Sequence, residues 1–158
     1  MAMSTFLTLK ADGNDIEGSA EDANREGTIE CASFDWGVNA AMAAGTPTAD
    51  RDYEPIRIVK RIDKATPLIW QAMCQNAKIE AKFCFYRPPT ADEDAMYFMV
   101  EITDGRIATI DVNSPHSNFD SPSSQAMPTE TVTLVYNNIT NTFTDGNVTH
   151  TDEWKNRA

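Results

Sequence analysis

Few side chains in this sequence are of the kinds that perform chemistry, and their spacing suits it poorly. The two histidines, His116 and His150, and the three cysteines, Cys31, Cys74 and Cys84, are scattered along the chain. A structural zinc site needs clustered thiolate and imidazole ligands, and nothing here clusters. Neither histidine lies beside a serine or cysteine in a nucleophile motif. Asp92-Glu93-Asp94 is a carboxylate run beside Pro88-Pro89, but it lacks the order of an EF-hand loop. Asp145-Gly146-Asn147 reads as a turn before it reads as a calcium loop. No glycine-rich phosphate loop is present. The sequence therefore assigns no catalytic, cofactor-binding or metal-binding residue. An enzymatic reading would have to build its site in three dimensions from Asp92, Asp94, His116 or His150. An odd number of unclustered thiols fits small, buried or half-buried side chains in a reducing compartment.

The 158 residues make one domain, 1–158, large enough for a real core. Lys and Arg number 13 against 24 Asp and Glu, a formal charge of −11. Such a chain repels phosphate backbones and anionic membrane surfaces, which argues against nucleic-acid partners. No apolar run is long enough to span a bilayer, so membrane insertion is not expected. The first ten residues alternate in polarity and lack a basic n-region, so no secretory signal is read.

The elements that must position these residues are mostly strands. At 78–86, Ile79, Ala81, Phe83 and Phe85 share one face and Glu80, Lys82, Cys84 and Tyr86 the other, the period of a half-buried strand. Further strands are expected at 5–10, 28–39, 54–62, 97–103, 107–113, 130–136, 139–144 and 148–153. Asp104-Gly105 and Asp145-Gly146 suit hairpin turns, and Asn137-Asn138 a tight turn. One helix is expected at about 67–75, with Thr66 as N-cap and Pro67 in the first helical position. Its apolar face would be Leu68, Ile69, Ala72 and Met73. The stretches 42–52 and 114–128 read as irregular, and long loops in a compact domain usually carry function. On the strand at 28–39, Ala32, Phe34, Trp36 and Val38 would face the core, with Cys31, Ser33 and Asp35 opposite on a wet face. Trp36, Trp70 and Trp154 are all read as packing residues. Many short strands with one helix predict a mainly β fold, a two-sheet β-barrel or sandwich with one flanking α-helix.

Several segments together resemble the haemolysin-coregulated protein (Hcp) family of bacterial type VI secretion systems. The opening strand Phe6-Leu7-Thr8-Leu9-Lys10 matches in kind, and Ile16-Glu17-Gly18-Ser19 is similar to the family's Gly-Glu-Ser region with its acidic residue displaced. Ile29-Glu30-Cys31-Ala32-Ser33-Phe34-Asp35-Trp36-Gly37-Val38 resembles its strand ending in aromatic-x-Trp-Gly. The clearest match is Ile58-Val59-Lys60-Arg61-Ile62-Asp63-Lys64-Ala65-Thr66-Pro67-Leu68, a strand running into Asp-Lys-Ala-Thr-Pro and a helix with Ala72 and Cys74. Pro128-Thr129-Glu130-Thr131-Val132-Thr133-Leu134-Val135-Tyr136 and Thr142-Phe143 resemble later strands, and Trp154 stands at the end of the last. The matches are in order and extend over nearly the whole chain. The departures are Asn76-Ala77 after the helix, a less glycine-rich stretch at 42–52, and a longer, proline-rich 114–128.

The resemblance implies a structural role and no enzymatic activity. It implies a homo-hexameric ring, rings stacked into the inner tube of a phage-tail-like injector, a spike protein at the tube tip, a surrounding sheath, and effector proteins in the lumen. It implies residence in the bacterial cytoplasm before firing and secretion without a signal peptide. No cofactor is implied. A wet, unsticky lumen suits Ser33 and Asp35 as its lining. Ala44, Gly45, Thr46, Pro47 and Thr48 are the candidates for ring-to-ring contact, from the length and position of their loop. The alternatives are a tube protein of another phage-tail-like or extracellular contractile device, and the β-barrel enzyme with a site unrecognised in sequence.

Overall fold

The computed structural model describes residues 4–88, 96–115 and 127–154. Its strands are β1 (Ser4–Ala11), β2 (Asn14–Ile16), β3 (Ile29–Asp35), β4 (Val38–Ala43), β5 (Thr46–Tyr53), β6 (Ile56–Arg61), β7 (Ile79–Tyr86), β8 (Met96–Asn113), β9 (Thr129–Val135), β10 (Asn138–Phe143) and β11 (Val148–Glu153). The one α-helix among the described residues is α1 (Ala65–Cys74). Six strands, in the order β8-β7-β1-β3-β6-β9, close into a barrel because β9 pairs again with β8. All the pairings are antiparallel. Strands β10 and β11 extend the sheet beyond β8, and β2 adds to β1. The mainly β architecture with a flanking helix is the one expected.

Inward-facing residues fill the barrel as period two dictates. Leu7 and Leu9 of β1, Ile79, Ala81 and Phe83 of β7, and Val132 and Leu134 of β9 are all buried. Phe34 packs edge-on against Phe83 and Phe85, with ring centroids 4.9 and 5.0 Å apart. The helix lays Ala65, Ile69 and Ala72 on the core.

Three expectations about the strands are corrected, and one strand is added. Asp104-Gly105 does not turn a hairpin; β8 runs unbroken through it. The first half of β8 lies between β7 and β10, and its second half pairs with β9. Asp104 takes φ +51° there, and a Cβ on Gly105 would lie 2.8 Å from the Val135 carbonyl oxygen. The pair is thus a kink that lets one strand serve both sides of the closure. The strand expected at 28–39 is two strands broken at Trp36-Gly37. The irregular stretch at 42–52 is mostly hairpin, because Ala44 (φ +51°) and Gly45 (φ +80°) adopt the left-handed conformations of a two-residue turn. Strand β2 was not anticipated, being only three residues long.

The helix starts earlier than its expected cap. Lys64, at the cap position, is already helical and offers no side-chain cap. Asp63 caps instead: its Oδ1 accepts from the Ala65 N–H at 3.0 Å. Thr66 is not the N-cap and Pro67 is not the first helical residue. The Thr66 hydroxyl oxygen accepts from the Asp63 N–H at 3.1 Å, closing a reciprocal pair. Leu68, Met73 and Trp70 do not pack inward, and Trp70 is 65% exposed. A ten-residue helix lying on a barrel buries only a narrow stripe.

Candidate assembly surfaces

Strand β3 carries the first surface. Its pairing with β6 shifts register between Cys31 and Ser33, so a bulge places both Ala32 and Ser33 outward. Cys31 therefore joins Ile29 in the core, and Ala32 leaves the face it was expected to share with Phe34. Burial pushes the Cys31 thiol up to about 12. Ser33 and Asp35 are exposed, and Asp35 lies opposite Arg57 of β6. Thr133 of β9 lies opposite Arg57 in turn, and Thr131 opposite Val59, so this outer face is rich in hydroxyl and charged groups.

The second surface is an arm. Strands β4 and β5 pair only with each other among the described residues and form a separate two-stranded sheet. Val38 is 44% and Met42 60% exposed on it. Of the expected stacking residues, Ala44 and Gly45 form the tip, and Thr46, Pro47 and Thr48 begin β5, all exposed. The Thr48 hydroxyl donates to the Ala41 carbonyl at 2.9 Å, bracing the distal half.

The arm's base is heavily tied. The Glu54 N–H donates to the Gly37 carbonyl at 2.9 Å, and Asn39 donates to Glu54 Oε1 at 3.1 Å. Arg51 grips Asp152 of β11 with two N–H groups, one at 2.6 Å, and the Tyr53 hydroxyl donates to the same carboxylate. Arg51 first, then Tyr53, hold the Asp152 carboxyl far below the ordinary carboxylate range. Beneath lie Trp36, Tyr53, Tyr136 and Trp154. Trp36 Nε1 donates to the Tyr136 hydroxyl at 2.7 Å, which donates to the Glu54 carbonyl at 2.8 Å. Burial raises the Tyr136 hydroxyl to about 12, so it stays a donor at neutral pH. Trp36 and Trp154 are packing residues as expected; Trp70 is not.

A buried charge network orients the helix. Lys60 and Glu130 are both 0% exposed, with Lys60 Nζ 2.8 Å from Glu130 Oε1. The same Nζ lies 2.9 Å from Asp63 Oδ1 and 2.9 Å from the Arg61 carbonyl. Asp63 Oδ2 accepts from the Ser19 N–H at 3.2 Å. The network thereby binds β6, β9, the start of α1 and the segment after β2. Sequence reasoning overlooked it, although the signal was there. Alternation puts Lys60 on the face of Ile56 and Ile58, and Glu130 on that of Val132 and Leu134. A second overlooked feature is Arg25, whose guanidinium sits 3.7 Å from the Tyr86 ring centroid and 4.7 Å from that of Phe6.

Of the residues considered for an enzymatic site, His150 alone is among the described residues. His150 is exposed on β11, opposite Asn141. Asp92, Asp94 and His116 lie outside the described residues, as does most of 114–128. Among the described residues, no group of three or more His, Cys, Asp or Glu could hold a metal ion. Cys74 is exposed rather than buried. No helix among the described residues is long and apolar enough to cross a membrane.

A family model described as "Type VI secretion system effector, Hcp" matches residues 6–143. The "Major exported protein" of Pseudomonas aeruginosa is 26% identical over 113 residues, 71% of this chain and 65% of that protein. The chain thus matches just under two thirds of that relative's length. Among solved structures, a mutant of the Hcp1 protein from E. coli EAEC 042 pathovar superposes with a TM-score of 0.85 at 28% identity, covering 97% of this chain and 99% of that one. The secreted protein Hcp3 from Pseudomonas aeruginosa superposes with a TM-score of 0.75, covering 97% and 99%. At 17% identity, that likeness shows the fold alone.

Proposed function

The chain belongs to the Hcp family of type VI secretion system proteins, and from that premise we propose that it is a structural tube subunit. The observation that carries the reading is the family match over residues 6–143, which spans a barrel from which an exposed arm projects. In this reading, six copies close into a ring through heterologous contacts, in which different patches of neighbouring copies meet after a fixed rotation. Strand edges on the arm and on β11 are suited to such contacts. Rings stack through the arm tip at 44–48, and the face bearing Ser33 and Asp35 lines the lumen. The protein acts without enzymatic turnover. It resides in the bacterial cytoplasm before firing and then leaves with effector cargo in the lumen, behind a spike and within a sheath.

The charge of −11 per subunit opposes assembly through self-repulsion. Salt screens that repulsion, so stacking should increase as ionic strength rises. Negative-stain electron microscopy of the purified protein at two salt concentrations tests both points. Six-fold rings, longer stacks at the higher salt, and shortened stacks after deletion of 44–48 are the expected results. A uniform field of monomers would overturn the tube reading. Tubes that salt disrupts would overturn the charge argument, and normal stacking without 44–48 would overturn the role of the tip.

A further inference from the structure

We propose that Asp152 is a positioning residue: its carboxylate, held by Arg51 and Tyr53, fixes the angle at which the β4–β5 arm leaves the barrel, and this preset angle allows a ring to close. The inference rests on the tube-subunit reading for its consequence, but the latch itself is a matter of geometry.

Among the described residues, the arm is tied to the barrel at its base by Tyr53, whose ring packs on Tyr136 and Trp154, by the Tyr136 hydroxyl bond to the Glu54 carbonyl, and by Asp152. Its two strands pair only with each other among the described residues, and nearly all of β4 and most of β5 are exposed. It joins the barrel through two short connections, Trp36-Gly37 and Glu54-Pro55. These are cross-tied by the Glu54 N–H to the Gly37 carbonyl, which fixes the hairpin's own ends but not its direction. Direction requires a contact to something outside the hairpin and its hinge. Asp152 supplies one from β11, a strand 101 residues away from Arg51. The bidentate grip of a guanidinium on a carboxylate fixes orientation as well as distance. The Tyr53 hydroxyl adds a third donor from a ring packed against Trp36 and Trp154, with centroids 6.4 Å away in each case.

Leverage makes the angle matter. From Arg51 to the tip at Gly45 is six residues of strand, about 20 Å at ~3.3 Å per residue. A swing of about 10° at the latch moves the tip by about 3.5 Å, most of the ~4.7 Å spacing between paired strands. The same swing displaces the arm's strand edges, which meet the neighbouring copy within a ring; a closed ring repeats that contact at every subunit, so the error recurs at each interface and prevents closure.

The test compares the full-length protein with Asp152→Asn, Arg51→Met and the reversed pair Arg51→Asp/Asp152→Arg. Amide hydrogen exchange reads the arm at 38–53 against the barrel strands, analytical ultracentrifugation reads ring formation, and thermal melting reports the fold. Each single variant should exchange at least tenfold faster in the arm with the barrel unchanged, and should need at least tenfold more protein to form rings. The reversed pair should recover part of both. Unchanged arm exchange in the single variants would overturn the latch. Faster exchange with ring formation intact would overturn its role in closure. If the wild-type protein forms no rings, the tube reading falls and the exchange data alone still decide whether Asp152 holds the arm.

Discussion

Replacing Lys60 with methionine removes the centre of the buried network while keeping a long, flexible side chain in the space. In the native protein the ammonium contacts Glu130 and Asp63 at 2.8 and 2.9 Å, with no exposure to water at either Lys60 or Glu130. Without it, Glu130 is left in the core with no cation against it, and Asp63 loses the partner that steadies the first turn of α1. Breaking a fully buried pair by removing one member costs about 3–5 kcal/mol. For a domain of this size each kcal/mol lowers the melting temperature by about 2–4 °C. The expected fall is therefore about 6–20 °C, read by urea and thermal unfolding followed by circular dichroism. Substituting both charges, Lys60→Met/Glu130→Leu, should regain part of the loss, since well-packed apolar replacements of a buried pair are often neutral or stabilising. Recovery should be incomplete because Asp63 stays without its cation. A loss below about 1 kcal/mol for Lys60→Met, or a double variant no more stable than the single, would refute this account.

Other consequences follow from particular positions. Gly105→Ala places a Cβ 2.8 Å from the Val135 carbonyl and 3.2 Å from that of Ile79, both backbone atoms, so β8 must part from one neighbour. The expected cost is about 1–3 kcal/mol in the same unfolding assay, and a loss under about 0.5 kcal/mol would show that the closure tolerates a side chain there. Iodoacetamide on the native protein should label Cys74, which is exposed, and leave Cys31 unmodified until unfolding, as peptide mass spectrometry would reveal. Because burial raises the Cys31 thiol from 9.0 to about 12, its folded form keeps a proton that the unfolded chain releases. Its contribution is intact below pH 9 and declines as pH rises toward 12, so unfolding free energy should fall across that window. Asp152 behaves oppositely: its depressed carboxyl stays charged near pH 4, where ordinary carboxylates are close to half protonated. Arm exchange protection should therefore persist at pH 4 and be lost only at stronger acid; loss above pH 4 would contradict the Arg51 contact as the cause.

Alternation in the sequence determined most of the barrel. Side chains on a strand point to opposite faces in turn, so Ile79, Ala81 and Phe83 announced their own burial, and the element types followed. The Asp-Lys-Ala-Thr-Pro segment likewise marked the entry to the helix within two residues. The family was legible too, from motifs in order along nearly the whole chain.

Tertiary structure decided what depends on partners rather than on faces. Gly105 looked like a turn because Asp-Gly pairs favour one, yet it pairs with Ile79 and lies against the Val135 carbonyl in a strand shared between β7 and β9. The bulge after Cys31 reversed the faces of two residues, since one extra residue in a ladder shifts every side chain beyond it. Local propensity offered Thr66 as the cap, but Asp63 was already held by Lys60 and Ser19 and faced the first free N–H. The arm and its latch were hidden for the same reason: Arg51 and Asp152 are ordinary surface charges in sequence, and only closure of the barrel and extension of its sheet by β10 and β11 bring them together. A chain records the periodicity of its own strands locally; which distant strand lies beside which is settled only when the hydrogen bonds of the whole sheet are satisfied together.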